Sequence, residues 1–385
     1  MYCRSFEAFD FSICKNYYNF APIVFQKQIY IHSKKKCIFT RMNIRYILLI
    51  ILCGIAAVIT VVCYNFTPCI NNKKMNSKSI VYIENAGVRV GVLPHLGGTI
   101  VFLSKDNSPN MIKSDSALWN TVLDISEHTD FFPIQGHTVW VGPQSQWWMQ
   151  QSVHSSRKAE QALWPPDPYI TLGAYTVLTQ NEWSVSLTSQ HSDVWGVTME
   201  KEIAVNPDGS VFVQVTLINS SQDIVSWDIW HNTRMHGYSK AYVQARKEHV
   251  RVVPVRNDTC TDMPYGFVND YFTYKPQQPD STTSRASKVF IYPELPVMYA
   301  FTPTHMLSIS FEKHVKNQIH PEQGLVELYT STEESQEHAL LELEYHSAYS
   351  HIGPGDSIQA WEVWNIEEYA GEQTEQAHVS FIQSL

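Results

Sequence analysis

Short segments in which apolar and polar residues alternate constrain the fold of this chain more than any other feature. The clearest lies in residues 201–219, where Val211, Val213 and Val215 occupy alternate positions. In an extended backbone these side chains all point to one side. The Pro-Asp-Gly sequence at 207–209 suits a turn, because proline fixes φ and glycine accepts a positive φ. Residues 201–219 are therefore predicted to form a β-hairpin with one buried face.

Similar segments recur at intervals of about 8–12 residues through the last three quarters of the chain. Because no amphipathic helix longer than 12 residues accompanies them, antiparallel sheets are predicted instead of βαβ units. No internal repeat of fixed period is present, which argues against a propeller. The fold class predicted for residues 79–385 is all-β, one large antiparallel sandwich, with two smaller β domains as the alternative. Besides the hairpin, the predicted strands are residues 79–84, 87–93, 99–104, 169–178, 183–189, 226–230, 249–255, 297–302, 306–312, 325–330, 340–346 and 357–366.

Two segments interrupt this pattern. Residues 262–285 are rich in Pro, Asp, Ser and Thr and are predicted to be a long surface loop that could rim a cleft. Residues 333–341 form the best candidate for a short helix, which would run into the strand at 340–346.

The segment at residues 46–64 has a different character, because its 19 residues carry no charge. A helix of this length spans about 30 Å, the thickness of a bilayer core. Arg41 and Arg45 precede it, so the positive-inside rule places the N-terminus in the cytoplasm and exports the C-terminal part. Since no clean cleavage site follows the segment, an uncleaved signal-anchor is favoured over a removed signal peptide.

This prediction gives a single-pass protein of the cell membrane with four parts. Residues 1–45 are a cytoplasmic segment, of which everything before Met42 could be an upstream start-site artefact. Residues 46–64 are the transmembrane helix, 65–78 a polar linker, and 79–385 the exported β domain, periplasmic or extracellular.

Net charge and aromatic content limit the classes of molecule that the exported part is expected to bind. The net charge is −9 and the isoelectric point is about 6.0, which argues against nucleic acid as a partner. All 11 tryptophans lie after the apolar segment. Aromatic rings beside His, Asn, Arg and carboxylates are what a sugar site needs, because a pyranose face stacks on a ring while its hydroxyls take hydrogen bonds. The alternative is that many of these rings fill the core.

Four segments concentrate such residues. Strand periodicity places Glu342, Glu344 and His346 on one face of the strand at 340–346, as either a reactive or a solvated face. On the strand at 226–230, His231 follows Trp227 and Ile229 on one face, which suits either a core histidine or a ligand-facing one. The four segments are residues 96–100 (LGGTI), 136–167 (with GHTVWVGPQ and WPPD), 227–234 (WDIWHNTR) and 342–364 (with ELEYH and GPGD).

The order of these segments resembles that of the galactose mutarotase-like (aldose 1-epimerase-like) superfamily, especially an uncharacterised branch of it, over residues 80–366. The matching elements are Gly97-Gly98, residues 137–144, residues 164–167, residues 230–234, and Glu344 followed by Pro354-Gly355-Asp356.

The resemblance implies a β-supersandwich with a cleft across one sheet. In active members two histidines and a late glutamate transfer protons at C1 and O5 of an aldose. By this resemblance His231, Glu344 and His137 are the candidate catalytic residues, and the three are expected to converge on one sugar-sized cleft. The early Asn-Arg pair of the family has no counterpart beside Gly97-Gly98. The candidate substrate-binding residues are Trp140, Arg234, Asn232, Trp147, Trp164 and Asp167.

The function predicted is therefore sugar binding of the mutarotase type with anomer interconversion, the partner being a monosaccharide or a glycan end. A non-catalytic carbohydrate-binding domain and an envelope interaction domain are the alternatives. No GxSxG, P-loop or HExxH motif is present, and no group of three ligands shows regular spacing, so neither a cofactor nor a metal is predicted.

Overall fold

The computed structural model describes residues 79–254, 260–261, 263–274, 284–332 and 339–385. The apolar segment at 46–64, the residues before it and the linker at 65–78 lie outside this range. Within the described range, no helix has the length and apolar content needed to cross a membrane.

The described residues are almost entirely strands. The strands are β1 (Val81–Asn85), β2 (Val88–Leu93), β3 (Thr99–Lys105), β4 (His137–Gly142), β5 (Thr176–Gln180), β6 (Ser184–Thr188), β7 (Val197–Val205), β8 (Val211–Asn219), β9 (Val225–His236), β10 (Lys240–Gln244), β11 (Val250–Pro254), β12 (Cys260–Thr261), β13 (Tyr265–Val268), β14 (Tyr271–Tyr274), β15 (Ser284–Ile291), β16 (Val297–Phe301), β17 (His305–Phe311), β18 (Val326–Thr332), β19 (Leu340–His346), β20 (Ser350–Ile352) and β21 (Ser357–Glu368). The α-helices are α1 (Ser155–Ala159), α2 (Pro168–Thr171) and α3 (Glu375–Ile382), and 3-10 turns occur at Ser116–Leu118, Gln144–Gln146, Lys247–His249 and Lys316–Gln318.

In this part of the chain the strands form two large sheets. The first has 11 strands in the order β1-β2-β3-β4-β9-β19-β18-β15-β11, with β20 on β9 and β12 on β15. The second has 10 strands in the order β13-β14-β10-β16-β17-β21-β8-β7-β6-β5. The pairings are antiparallel except for the short β12–β15 pair. The predicted all-β antiparallel sandwich is therefore confirmed.

A large apolar core lies between the sheets. Strand β8 shows why, because its residues alternate between buried and partly exposed along its whole length. The predicted hairpin at 201–219 is confirmed as β7 and β8, with Gly209 at a φ of +83° in the turn. Val139, Ile229 and Leu343 of the first sheet join Val213 and Val215 of the second in the same core.

Two local predictions were wrong. Residues 169–178, predicted as one strand, begin inside α2 and continue as β5, because Asp167 caps the helix and accepts a hydrogen bond from the Tyr169 amide at 2.9 Å. Residues 262–285 were predicted as a loop, but within them β13 and β14 are strands, whereas residues 262 and 275–283 lie outside the described range. Both strands join the edge of the second sheet, where tertiary pairing outweighs a composition rich in turn residues.

Candidate carbohydrate site

The central strands of the first sheet have two chemically different faces. The core face packs on the second sheet, and the cavity face is the opposite one. Along β9 the odd-numbered residues, such as Ile229 and His231, point to the core, whereas Trp230 and Arg234 point to the cavity.

The expected convergence of His137, His231 and Glu344 was wrong. The rings of His137 and His231 lie on the core face, with centroids 5.4 Å apart, beside Glu362 of the second sheet. Glu344 lies on the cavity face, where Lys288 binds it. The strand register explains the separation, because β9 and β19 pair with His231 opposite Tyr345 and Asn232 opposite Glu344. Directly paired residues share a face, so His231 and Glu344 point to opposite sides of the sheet.

A cavity of about 600 Å³ opens on the cavity face. Loops before β4 and around α1 form one side, and strands β15, β18 and β19 form the floor and the other side. Its lining residues are Phe131, Gln135, Trp140, Pro143, Gln144, Ser145, Leu163, Trp164, Trp230, Arg234, Lys288, Phe290, Glu322, Gln323, Glu327, Tyr329, Leu340, Glu342 and His346. This volume suits a small ligand such as a sugar.

Three tryptophans, Trp140, Trp164 and Trp230, form an aromatic wall of the cavity. The ring of Trp140 packs edge-on against Trp230 at 4.9 Å and against Trp164 at 6.0 Å. Trp140 and Trp230 are nearly buried, whereas Trp164 remains 45% exposed. Trp147, a predicted binding residue, is fully buried behind the wall and supports it through its contacts with all three rings. The wall therefore offers a rigid apolar surface with one accessible ring.

Arg234 fixes the polar edge of this wall. Its Nε lies 2.8 Å from Glu342 Oε1, and its Nη1 donates to Thr138 Oγ1 at 2.9 Å. The guanidinium also lies 5.1 Å from the centre of the Trp140 ring. Because both partners of the ion pair are nearly buried, the guanidinium is held in one orientation at the cavity.

Lys288 joins two carboxylates on the cavity floor. Its Nζ lies 2.8 Å from Glu327 and 2.6 Å from Glu344, whose Oε2 also accepts from Trp230 Nε1 at 2.8 Å. Burial raises the pKa of Glu344, and Lys288 only partly offsets it. For Glu327, burial is outweighed by Lys288 and His346, so its pKa is lowered. Glu327 is thus the ionised carboxylate of the pair, and Glu344 is the one that takes up a proton more readily.

His346 completes the floor. Its Nδ1 lies 3.2 Å from Asp228 Oδ1 and 2.8 Å from the Gln323 amide, and its Nε2 lies 3.3 Å from Glu327 Oε1. Burial alone would lower the pKa of His346, but Glu327 and Asp228 outweigh it and raise the pKa to about 9. The ring also packs against Trp230 at 4.8 Å. An imidazolium and a carboxylate therefore lie side by side at the cavity.

Two further residues that were predicted to bind substrate, Asn232 and Asp167, do not line the cavity. Asn232 is buried on the cavity face between Trp230 and Arg234, and within the described range its side-chain amide has no hydrogen-bond partner. Asp167 is fully buried; it caps α2 and binds the Ser192 hydroxyl. These contacts indicate a structural role for Asp167, so its position does not support the predicted contact with substrate.

Sequence reasoning missed several cavity residues. Lys288 and Glu327 lie in strands whose sequences contain no recognisable motif, so the sequence did not indicate that they belong to a site. His346 and Glu342 carried a signal, because they share a strand face with Glu344, but the resemblance directed attention to His231 instead.

Two groups of described residues have the donor atoms for a metal ion, His137 with His231 and Glu362, and Glu327 with Glu344 and His346. In the second group Lys288 binds both carboxylates, so an ammonium already supplies the positive charge there.

Comparison with known proteins gives one family match. A family model described as "Domain of unknown function (DUF4380)" matches residues 79–367. No protein with a curated description matches the sequence.

Among solved structures, the chain is similar to a galactose mutarotase-like protein from Lactobacillus casei ATCC 334, with TM-score 0.49, 11% identity, and 76% of this chain and 100% of that chain covered. It is similar to a galactose mutarotase related enzyme from Lactobacillus acidophilus, with TM-score 0.48, 10% identity, and 78% and 99% covered. A putative aldose 1-epimerase from Escherichia coli K12 gives TM-score 0.46, 9% identity, and 76% and 99% covered.

Proposed function

The chain belongs to the DUF4380 family, whose description assigns no activity, and we propose from its cavity that it binds a carbohydrate, either a monosaccharide or the end of a glycan. The observation that carries this proposal is the combination, in one cavity of about 600 Å³, of the aromatic wall with fixed charged groups.

The aromatic wall suits the apolar face of a pyranose. Trp164 is the accessible ring, and its centroid lies 4.8 Å from that of Phe131, so the two rings extend the apolar surface towards solvent. Stacking on such a surface removes C–H groups from water without requiring hydrogen bonds.

The charged groups beside the aromatic wall suit hydroxyl groups. Arg234 and Lys288 supply donors, whereas Glu327 and Glu342 supply acceptors, and their ion pairs fix their positions before a ligand arrives. Preorganised groups of both kinds match a sugar, because each hydroxyl donates one hydrogen bond and accepts others.

A second candidate function, anomer interconversion, is favoured by the pair of His346 and Glu327. In this reaction an acid protonates the ring oxygen while a base removes the proton of the anomeric hydroxyl. The bond between C1 and O5 breaks, the open-chain aldehyde rotates about C1–C2, and the reverse transfers close the ring. Because the pKa of His346 is raised to about 9, its imidazole stays protonated near neutral pH. The carboxylate of Glu327 lies 3.3 Å from the imidazole Nε2. In this proposal His346 is the acid and Glu327 the base, in place of the predicted catalytic residues His231 and Glu344.

The two functions separate in one experiment on the purified full-length chain. A panel of glucose, galactose, mannose and xylose is titrated by calorimetry, and anomer exchange is measured by NMR saturation transfer. Binding with exchange that His346→Gln abolishes supports interconversion, and His351→Gln, an exposed histidine outside the cavity, serves as the control. Binding without exchange supports carbohydrate binding alone. No binding of any sugar of the panel, nor of any glycan on a glycan array, contradicts both functions and favours an interaction domain.

We also propose that the apolar segment at 46–64 anchors the β domain to a membrane, with the domain exported. The support is its length of 19 uncharged residues and the arginines before it. Deleting residues 46–64 should move the protein from the membrane fraction to the soluble fraction. An unchanged distribution, or a domain sheltered from protease added to cells whose outer membrane has been permeabilised, would contradict the proposal.

A further inference from the structure

A second group of ionisable residues lies on the core face of the first sheet. His137 of β4 and His231 of β9 face Glu362 of β21 across the sandwich, and the exposed fractions of these three side chains are 2%, 0% and 0%. His137 also packs against Trp364 at 5.0 Å between ring centroids. The group thus joins the two sheets and has no opening to the cavity described above.

Most polar atoms of this group lack a hydrogen-bond partner within the described range. They are His137 Nε2, both ring nitrogens of His231, and Glu362 Oε1. A buried polar atom left without a partner costs about 1–3 kcal/mol, and more when it is charged. Four such atoms in one place indicate that the group has a ligand.

The spacing of the group suits a shared ion better than direct hydrogen bonds. Glu362 Oε2 lies 3.8 Å from His231 Nδ1 and 3.9 Å from His137 Nδ1, too far for either hydrogen bond. One donor atom from each of the three residues lies within 4.8 Å of the other two. Two ligands that each stand about 2.1 Å from a tetrahedral zinc ion are roughly 3.4 Å apart, so small side-chain rotations would bring the three onto one ion.

Neighbouring groups hold the ligands in position. Thr233 Oγ1 lies 2.8 Å from His137 Nδ1, and Trp364 Nε1 donates to Glu362 Oε2 at 2.8 Å. Such second contacts orient the ligands of a metal ion and hold these side chains in place.

Lys201 is a charged side chain close to this group, since it is among the groups that, after burial, lower the pKa of both histidines. Its ammonium is held by the backbone, because Nζ donates to the Gly97 carbonyl at 2.8 Å and to the Gly98 carbonyl at 3.4 Å.

We propose that His137, His231 and Glu362 form a buried site for a divalent transition metal ion, zinc being the simplest occupant, which crosslinks the two sheets. Two imidazoles and a carboxylate are a ligand set that zinc takes in proteins. Because the group is closed to the cavity, the ion acts on stability and does not contact the sugar. The proposal is independent of the proposed carbohydrate function.

The test uses the purified full-length chain, its metal content measured by mass spectrometry before and after stripping with a chelator. We expect about one zinc ion per chain, a melting temperature that falls on stripping and recovers with zinc chloride, and visible d–d absorption when cobalt replaces zinc. Glu362→Gln and His231→Asn should each lower the bound metal at least tenfold and remove the response to zinc. The matched control is His378→Asn, another fully buried histidine, which should keep both.

Several results would overturn the proposal. A chain that holds no metal and whose melting temperature and absorption do not respond to zinc or cobalt has no such site. Metal binding that survives Glu362→Gln and disappears with Glu327→Gln would place the ion in the cavity instead. If both ligand variants fail to fold, the metal content and cobalt absorption of the unaltered chain still test the proposal. A core without a metal site would show neither bound metal nor cobalt absorption.

Discussion

Replacing Trp164 by alanine should weaken sugar binding about tenfold while leaving the domain folded. Trp164 is 45% exposed, and its ring contacts Phe131 and Trp140 at centroid distances of 4.8 and 6.0 Å. A tryptophan side chain can bury up to about 250 Å², so roughly 110 Å² remains open, and a stacked sugar covers about half of that. At about 25 cal/mol per Å², the lost contact is about 1.4 kcal/mol, which is a factor of about ten in Kd.

The assay is calorimetric titration with whichever aldose of the panel binds most tightly. Trp183→Ala is the matched control, because Trp183 is 51% exposed and lies between β5 and β6, away from the cavity. Its Kd should equal that of the unaltered chain. Equal affinities of Trp164→Ala and the unaltered chain, or an equal loss in both variants, would refute stacking on this wall.

Three other changes test the structure of the β domain. Glu342→Gln leaves the nearly buried Arg234 without its carboxylate, so urea denaturation should show about 3 kcal/mol less stability, and an unchanged midpoint would contradict the pair. Gly142→Ala places a Cβ 2.0 Å from Gln323 Nε2, which should displace that amide from the cavity floor. Sugar binding should weaken at least tenfold while the circular dichroism spectrum stays unchanged. An unaltered affinity would argue against Gln323 as part of the binding site. Burial raises the pKa of Asp167 to about 7, so the folded state keeps a proton that the unfolded chain releases near pH 4. Its contribution to stability is therefore full below about pH 4 and is lost as pH rises to about 7, and Asp167→Asn should remove that decline in urea denaturation series; parallel pH profiles would contradict it.

The fold was predictable because its signal is local. The period-two pattern of β7 and β8 fixes both strands and their buried faces before any contact is known. Strand β4 carried no such pattern, since all six of its residues are buried, and it was seen only as a cluster of unusual residues. Strands β13 and β14 were missed because their pairing partners, not their composition, decide their structure.

The site was predicted only in part because it depends on strand register. Periodicity correctly grouped Glu344 with His346, and also grouped His231 with Ile229 on a core-like face. The sequence does not show which residue of β19 lies opposite His231. In the structure that residue is Tyr345, and this register places His231 and Glu344 on opposite faces of the sheet. The resemblance joined them by their order along the chain, which carries no information about faces.

The most direct test of the carbohydrate site is a crystal structure of the chain soaked with the aldose that binds most tightly. The sugar is predicted to lie in the cavity of the first sheet, one face against Trp164 and its ring oxygen towards His346. A sugar bound elsewhere, or an empty cavity at a concentration that saturates binding in solution, would contradict the proposed site.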